Sequence, residues 1–515
     1  MQDLAGWSAL LILRPKKWHL NKGGIVSKQL VFAMSLSVLV AACGGGGGGG
    51  GGSLSNPTGG GSSGGSSTSD PCGVSAQIDF VEDLATDYYY WYDELADVDK
   101  SQYSNAQDYL GAIMRPIWCD LADTPGNCQS TGRDPGFSYL TTIEADTQRF
   151  ESGTFYGYGV RYRLINGDFY FSDAYEGGPA FLAGIRRGQR LVAVDLGDGF
   201  VSWEQIVADE SAELPEAVFG PRGQLQTTIF RVASDGSEQD ISVTTAETST
   251  PPIAGAPTLI PTQGGNPVGY INFRTFIDDA DQPLRDAAET FAAAGVTDLV
   301  IDLRYNGGGL LRVAETFLNL LAGDVAQGQT SYIINLNDKH QAENSVESFS
   351  KLQESFAPSP NRIAFITTLG SASASELLIN SLDPHVEVAI VGSETSGKAV
   401  GQGAWDLDPN ACETRLRLIA FEIQNGAGEG GYYNGLVSTG RFTFLPAADD
   451  ATRPFGDINE ESLQTALAWL GVTPAKRQAE TLKSPTSRLG VAGFDASWPA
   501  DKEPPLNPDG SVRSF

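Results

Sequence analysis

The stretch that decides the fold is NRIAFITTLGSASASELLINSLDPHVEVAIVGSETSGKAVGQ, residues 361–402. An apolar, β-prone run at 363–368 leads into Gly370 and a serine-rich turn. A short helical pattern follows at 373–382, then a second apolar strand at 386–391, then a loop holding Lys398 and Gln402. Strand, turn, helix, strand is one α/β unit. Its hydroxyl-packed turn falls at a helix start, where backbone N–H groups lack intrahelical partners.

A serine at such a turn sits among N–H donors able to stabilise an oxyanion, but its hydroxyl still needs a base. The chain has three histidines, His19, His340 and His385, and none carries a catalytic signature. A lysine can replace histidine when burial and the lack of a carboxylate partner make it neutral. Lys398 fits, in a Gly/Ser/Thr/Ala/Val loop just after a buried strand. A plainer reading stands beside this one. Ser373-Ala-Ser-Glu376 also matches the capping box S-x-x-E, which merely starts a helix, and on spacing alone the cap is the commoner outcome.

Two motifs together shift that balance. SASASE, then ETSGKAVGQ after the next strand, resembles the tail-specific, or C-terminal processing, family of serine peptidases. The resemblance implies that Ser373 is the nucleophile, Lys398 its base and Gln402 the partner that orients the lysine. The 25-residue separation of Ser373 and Lys398 is similar to the family pattern. A second hallmark, D-L-R-x-N-G-G-G, occurs at 302–309 between a buried strand (297–303) and a helix (310–321). That turn lacks both G-x-G-x-x-G and G-x-x-x-x-G-K-[ST], so nucleotide binding is discounted. By resemblance, a glycine N–H from it, Gly308 with Gly307 as the alternative, joins the Ala374 N–H as an oxyanion hole. As a tight turn it also needs positive φ, which does not exclude that role. No cofactor and no metal is implied.

The fold class expected is α/β, or α+β multidomain. It comprises a helical N-terminal segment, a PDZ-like β domain and an enoyl-hydratase/ClpP-like α/β catalytic core. The expected boundaries are 1–43 for a signal segment with a lipobox and 44–71 for a Gly/Ser tether. The helical domain then spans 72–145, the PDZ-like domain 146–250, the core 251–475 and a polar, proline-rich tail 476–515. Within the core, strands are expected at 268–276 and 416–423 and helices at 283–294 and 460–470. The N-terminal helix is read over 77–95, where Ile78, Val81, Leu84, Tyr88, Trp91, Tyr92 and Leu95 recur at helical spacing.

The PDZ reading rests on G-P-A-x-x-A-G-I-x-x-G-x-x-L at 178–191, which resembles bacterial PDZ domains although Gln189 stands where an aspartate is common. Such domains add a peptide's C-terminal strand to a sheet edge and hold its carboxylate on backbone N–H groups. Tyr156, Gly157, Tyr158 and Gly159 form the candidate carboxylate loop. A PDZ-shaped spacer that binds nothing is the alternative.

The chain has 515 residues, ample for a substantial core, with 34 basic and 63 acidic side chains and a net charge of −29. Without residues 1–42 the count is 29 against 62, a balance of −33. That argues against nucleic acid or an anionic membrane surface as partner. Lys28, the short apolar run 30–42 and Val40-Ala41-Ala42-Cys43 read as a secretory signal and resemble a bacterial lipobox, which makes Cys43 the lipidated residue. Translation is expected to begin at Val26. Nine glycines, 44–52, open a flexible tether whose reach is roughly 30 Å. The location expected is the bacterial cell envelope, lipid-anchored, with outer-membrane sorting the better guess by analogy. Four further cysteines in an exported chain suggest two disulfides. Of three connectivities, the local pairing Cys119–Cys128 leaves Cys72–Cys412; free thiols are the alternative.

The partners expected are proteins or peptides with accessible, apolar C-termini, with no nucleic acid and with the membrane reached only through the lipid. Two rivals stay open: a non-catalytic peptide-binding lipoprotein on the same scaffold, and an acyl-transfer enzyme with a CoA-binding surface. The acidity disfavours the second.

Overall fold

Apolar runs without polar alternation belong in a sheet covered on both faces. The computed structural model, which describes residues 70–118, 132–209, 214–221, 223–234, 236–263 and 265–472, places them there. Six strands assemble in the order Thr258–Ile260, Val268–Asn272, Asp298–Asp302, Arg362–Thr367, Glu387–Gly392, Thr443–Pro446. The first pair is antiparallel and every later pair is parallel. Leu299, Ile301, Ile363 and Phe365 pack into one layer with the helices Asp281–Ala293, Leu311–Ala322 and Ala374–Leu382. Val300, Ala364 and Ile366 pack into the opposite layer with Glu461–Trp469. All nine residues of Ala374–Leu382 are buried, which is why it shows no polar face in the sequence.

A second, antiparallel sheet is built on the long strand Thr414–Asn425. It pairs with Tyr139–Thr142, Thr330–Leu336 and Val400–Asp406, and Ser345–Ser348 adds to Thr330–Leu336. This sheet corrects one expectation. Gln402, read as a loop residue, lies on Val400–Asp406, where the register slips between Gly401 and Gln402. A Cβ at Gly401 would fall 2.0 Å from the Phe421 ring, so only glycine permits this approach. The irregularity re-aims the Gln402 side chain, as β-bulges do. A second correction concerns the first helix, which spans Val74–Tyr88 rather than 77–95. From Tyr89 onward tertiary contacts win: the Tyr89 hydroxyl donates to buried Asp134 (3.1 Å), and the Tyr90 N–H donates to Ile419 O (3.0 Å).

A third, smaller sheet carries its own core of Phe169, Phe171, Leu191, Phe230 and Val232. Its strands run in the order Val160–Ile165, Asp168–Ala174, Arg190–Asp195, Thr227–Ser234, Ser237–Thr244, and the short Val201–Ser202 pairs with Arg190–Asp195. Thr154–Gly157 pairs with Ala246–Ser249 and joins the entry and exit of this unit. Tyr156 and Gly157 are therefore in a strand, not an open loop, because each is registered against Glu247 and Ala246.

Cys72 and Cys412 form a disulfide, as the sequence pairing expected. It closes a long loop and ties the first helix to the approach of Thr414–Asn425. Such closure stabilises mainly by restricting the unfolded chain. The signal segment with Cys43, the tether, the Cys119–Cys128 pairing and the tail from 476 lie outside the described residues. Among the described residues no helix is long and apolar enough to cross a membrane.

The turn after Asp298–Asp302 is anchored by a buried ionic cluster. Arg304 donates to Asp302 (2.9 Å), to Glu460 through both Nη atoms (2.8 and 3.0 Å) and to Asp449 (2.9 Å). Arg163 and Arg187 of the smaller sheet also reach Asp449, and Arg161 donates to Tyr305 O. Burial alone would raise the Asp449 carboxyl, but the charges of Arg304, Arg187 and Arg163 outweigh it and hold it well below the usual carboxylate range. Removing one member of such a cluster strands the others without water. Arg304→Ala is therefore expected to cost about 3–5 kcal/mol in denaturant unfolding, with the slope unchanged. A loss under about 1 kcal/mol would show that water replaces the guanidinium.

Candidate active site

The serine turn and the glycine turn are held face to face. Of the three serines in SASASE, two are tied across. Ser371 Oγ donates to Leu303 O (2.8 Å) and Ser375 Oγ donates to Asn306 O (2.9 Å), which also accepts the Ala372 N–H (3.1 Å). Ser373 is the one left over. It holds φ 56°, ψ −113°, a strained conformation for a residue with a side chain. Its hydroxyl faces the helix start as in a capping box, but makes no capping hydrogen bond of normal geometry. Both halves of the S-x-x-E box are in place, and the stronger is the bond from the Ser373 N–H to Glu376 (2.9 Å).

Gly308, with φ +94°, packs directly against this turn. A Cβ there would lie 2.7 Å from Ala372 O, 2.8 Å from Ala374 N and 2.9 Å from Ser373 Cβ. Glycine is thus required both by φ and by close approach. The Gly308 N–H donates to Asn306 Oδ1 (3.0 Å), and Asn306 Nδ2 donates to Phe273 O (2.8 Å). The Ala374 N–H makes no hydrogen bond among the described residues.

Lys398 lies between Gly397 and the strand Val400–Asp406. Its Nζ donates to Gln402 Oε1 (3.1 Å) and stands 4.6 Å from the centre of the Phe137 ring, while Gln402 Nε2 donates to Phe137 O. Among the described residues no carboxylate pairs with Nζ. Burial, with the nearby charge of Arg149 acting in the same direction, pushes this ammonium down to about 7. No hydrogen bond joins Ser373 Oγ to Lys398 Nζ in this structure.

The link between the two runs through Glu376. One carboxylate oxygen accepts the N–H groups of Ser373 and Lys398 (2.9 Å each). The other accepts the Gly397 N–H (2.7 Å) and the Thr395 hydroxyl (2.6 Å). Burial raises this carboxyl to about 7, against the pull of those donors. The sequence reading took Glu376 for a cap; its burial, which comes from the whole of its helix being buried, carries no local sequence signal. Asn306 and Phe137 were likewise not singled out. The two described histidines stay away from the site: His340 stacks on Tyr88, and His385 packs edge-on to Phe349.

Tyr156, Gly157, Tyr158 and Gly159 belong to the smaller unit. Tyr156 is exposed, while Tyr158 is buried with its hydroxyl against Thr228 (2.7 Å) and Phe219 O (3.0 Å). The carbonyls of Tyr158 and Gly159 accept from Ala180 and Tyr175. Beside them, Val160–Ile165 forms an edge of its sheet.

The model for peptidase family S41 matches residues 267–431, which contain both turns, Glu376, Lys398 and Gln402, and the peptidase S41 N-terminal domain matches residues 76–139. These two stretches therefore carry peptidase S41 family domains. It is 27% identical over 238 residues to the carboxyl-terminal-processing protease of Synechocystis sp., covering 46% of this chain and 50% of that protein. It is also 27% identical over 274 residues to a Staphylococcus aureus protein named Probable CtpA-like serine protease, covering 52% and 50%. The chain thus spans about half the length of the curated relatives it matches. A solved candidate S41 protease from Bacteroides fragilis superposes with a TM-score of 0.58 at 21% identity, over 76% of this chain and 97% of the other, which supports the fold.

Glu376 makes a signed prediction. Its folded pKa, about 7, lies above the usual 4.5, so the folded state holds this proton more tightly. The resulting stability is present below pH 4.5 and fades as pH rises through about 7, by about 3 kcal/mol in all. Urea unfolding of Glu376→Gln is expected to lack this decline between those pH values. An identical pH profile for both proteins would rule it out.

Proposed function

We infer that this chain is a serine endopeptidase that cleaves protein substrates recognised through their C-terminal tails. The observation that carries the reading is the strained Ser373, packed against Gly308 and joined through Glu376 to a lysine whose burial favours the neutral form. Neutral Lys398 takes the Ser373 proton once Nζ turns from Gln402 toward Oγ. Ser373 attacks the scissile carbonyl, and the acyl-enzyme forms as the amine leaves with a proton from Lys398. Water, deprotonated by Lys398, then releases the acyl group. Ala374 supplies one oxyanion donor. Gly308 supplies the second if Asn306 swings aside, and Gly307 is the alternative. Gln402 orients Lys398.

The proposal extends to the rest of the chain. The unit 146–250 is a PDZ-like domain that takes a peptide C-terminus on the edge Val160–Ile165, with the Tyr156–Gly159 segment beside its carboxylate. Residues 72–145 and 251–475 are the helical domain and the peptidase core. Lipidation at Cys43 and the following tether hold the enzyme in the cell envelope. Two observations keep a second reading, a non-catalytic peptide-binding lipoprotein, to be tested although the family matches do not favour it: Ser373 and Lys398 share no hydrogen bond, and the Gly308 N–H is occupied by Asn306.

A fluorophosphonate probe separates the two. Labelling of the wild type mapped to Ser373, absent in Ser373→Ala and slowed at least about a hundredfold in Lys398→Ala, is the expected result. Because the base acts unprotonated, the labelling rate should rise about tenfold per pH unit below about 7 and level off above it. An unlabelled wild type, with and without an apolar C-terminal peptide, would favour the binding protein.

A further inference from the structure

Three arginines lie along the flank of the site formed by Phe137, Gln402 and Lys398. In strand register Tyr139 faces Arg417, Gln402 faces Ile419 and Ala404 faces Arg417, so this flank continues the sheet that holds Gln402. Two of the three are saturated. Arg415 is bound by Asp406 and Asp146, and Arg417 by both oxygens of Asp146. Arg149 is different. It sits on the turn Gln148–Ser152, and its Nη1 donates to the Tyr139 hydroxyl (3.1 Å). Its guanidinium lies 5.0 Å from the Phe150 ring centre, with Arg417 4.4 Å from the same ring. Among the described residues Arg149 has no carboxylate partner, and it is partly exposed. In a chain with 63 acidic side chains, a guanidinium whose one hydrogen-bonding partner is a phenol keeps donors open for a carboxylate from outside the chain.

We propose that Arg149 receives a substrate carboxylate beside the Ser373–Lys398 pair, and so makes the site selective for peptides that carry an anionic group there. The proposal rests on the peptidase reading and deepens it. The carboxylate can be the free C-terminus or an Asp or Glu side chain, since the fork of donors is the same for both. The charge of Arg149 also depresses Lys398, so a purely electrostatic role is the alternative to be separated.

Binding to the Ser373→Ala protein separates them without turnover. The ligand is one fluorescent apolar peptide in three forms: C-terminal acid, C-terminal amide, and amide with one internal glutamate. Anisotropy is read at about pH 8.5, where Lys398 is neutral. The acid or the glutamate peptide should bind about tenfold more tightly than the plain amide. Arg149→Gln in this background should bring the ratio near one, and Arg149→Lys should restore part of it. Preference for the acid alone assigns the C-terminus, and preference for the glutamate form alone assigns a side chain. A ratio unchanged by Arg149→Gln would overturn the proposal and place the preference elsewhere, such as the Tyr156–Gly159 segment. So would the lack of any preference, or a shift in the pH dependence of wild-type labelling by Arg149→Gln without a change in the ratio. Failure of the peptidase reading shows separately, as an unlabelled Ser373 in the wild type.

Discussion

The geometry of the site hangs on one buried carboxylate. Glu376 accepts four donors from two separate pieces of chain: the start of its own helix and the 395–398 segment that follows the next strand. Ser373 and Lys398 are 25 residues apart and make no direct contact by hydrogen bond, so their spacing is set by the span of this carboxyl. A carboxyl group with four donors is nearly saturated. It cannot shift toward one side without abandoning the other. An amide in its place would keep two acceptor directions and lose the rest, which makes the acid a structural requirement before any chemistry is considered.

The carboxyl fixes only two of the three pieces. The third, the glycine turn, is held from both sides. On the side of the serine turn, Ser371 and Ser375 donate to its carbonyls, and Gly308 sits where no Cβ would fit. From below, Arg304 locks the residue pair that begins the turn to Asp302, Asp449 and Glu460. Dehydrating so many charges is expensive, and an apolar replacement would often be as stable. What the ionic cluster adds here is direction. A planar guanidinium with three carboxylates around it permits one orientation of the backbone that carries it, and Tyr305 is thereby held at φ 68°. Arg161, Arg163 and Arg187 extend the same cluster into the smaller sheet, so the glycine turn touches both units.

Much of this was legible in the sequence, for reasons that differ by residue. The parallel strands read clearly because residues buried on both faces leave unbroken apolar runs, as at 299–301 and 363–366. Ser373, Lys398, Gln402 and Gly308 were found through two short motifs that stand far apart in the chain. The second sheet was not foreseen. Its central strand, Thr414–Asn425, alternates Arg415 and Arg417 with buried Leu416 and Leu418, and Tyr139 pairs with Arg417 from far along the chain. Nothing local reports such pairing. Glu376 was seen as part of a capping box, which the structure has, but its burial was not, because S-x-x-E looks the same whether the helix is exposed or enclosed. Arg149 left no sequence signal, since its distinction is a missing partner, and that is visible only when Asp146 is seen to serve Arg415 and Arg417 instead.

The electrostatics of the pair explain why such a scaffold is needed. Moving a lysine from 10.5 to about 7 corresponds to about 5 kcal/mol of disfavoured charge, a large share of a domain's net stability. The unfolded chain binds that proton more tightly, so this burden is full below about pH 7 and lifts as pH rises toward 10.5. Glu376 has the opposite sign, helping most below 4.5 and ceasing to help above about 7. The two windows meet near neutrality, where the folded state gains least from either group. On the proposed mechanism that is also where Lys398 first becomes a base. A site poised at its own stability minimum must draw its rigidity from elsewhere, and the ionic cluster under the glycine turn and the fully buried helix Ala374–Leu382 are the elements tied to it that provide it.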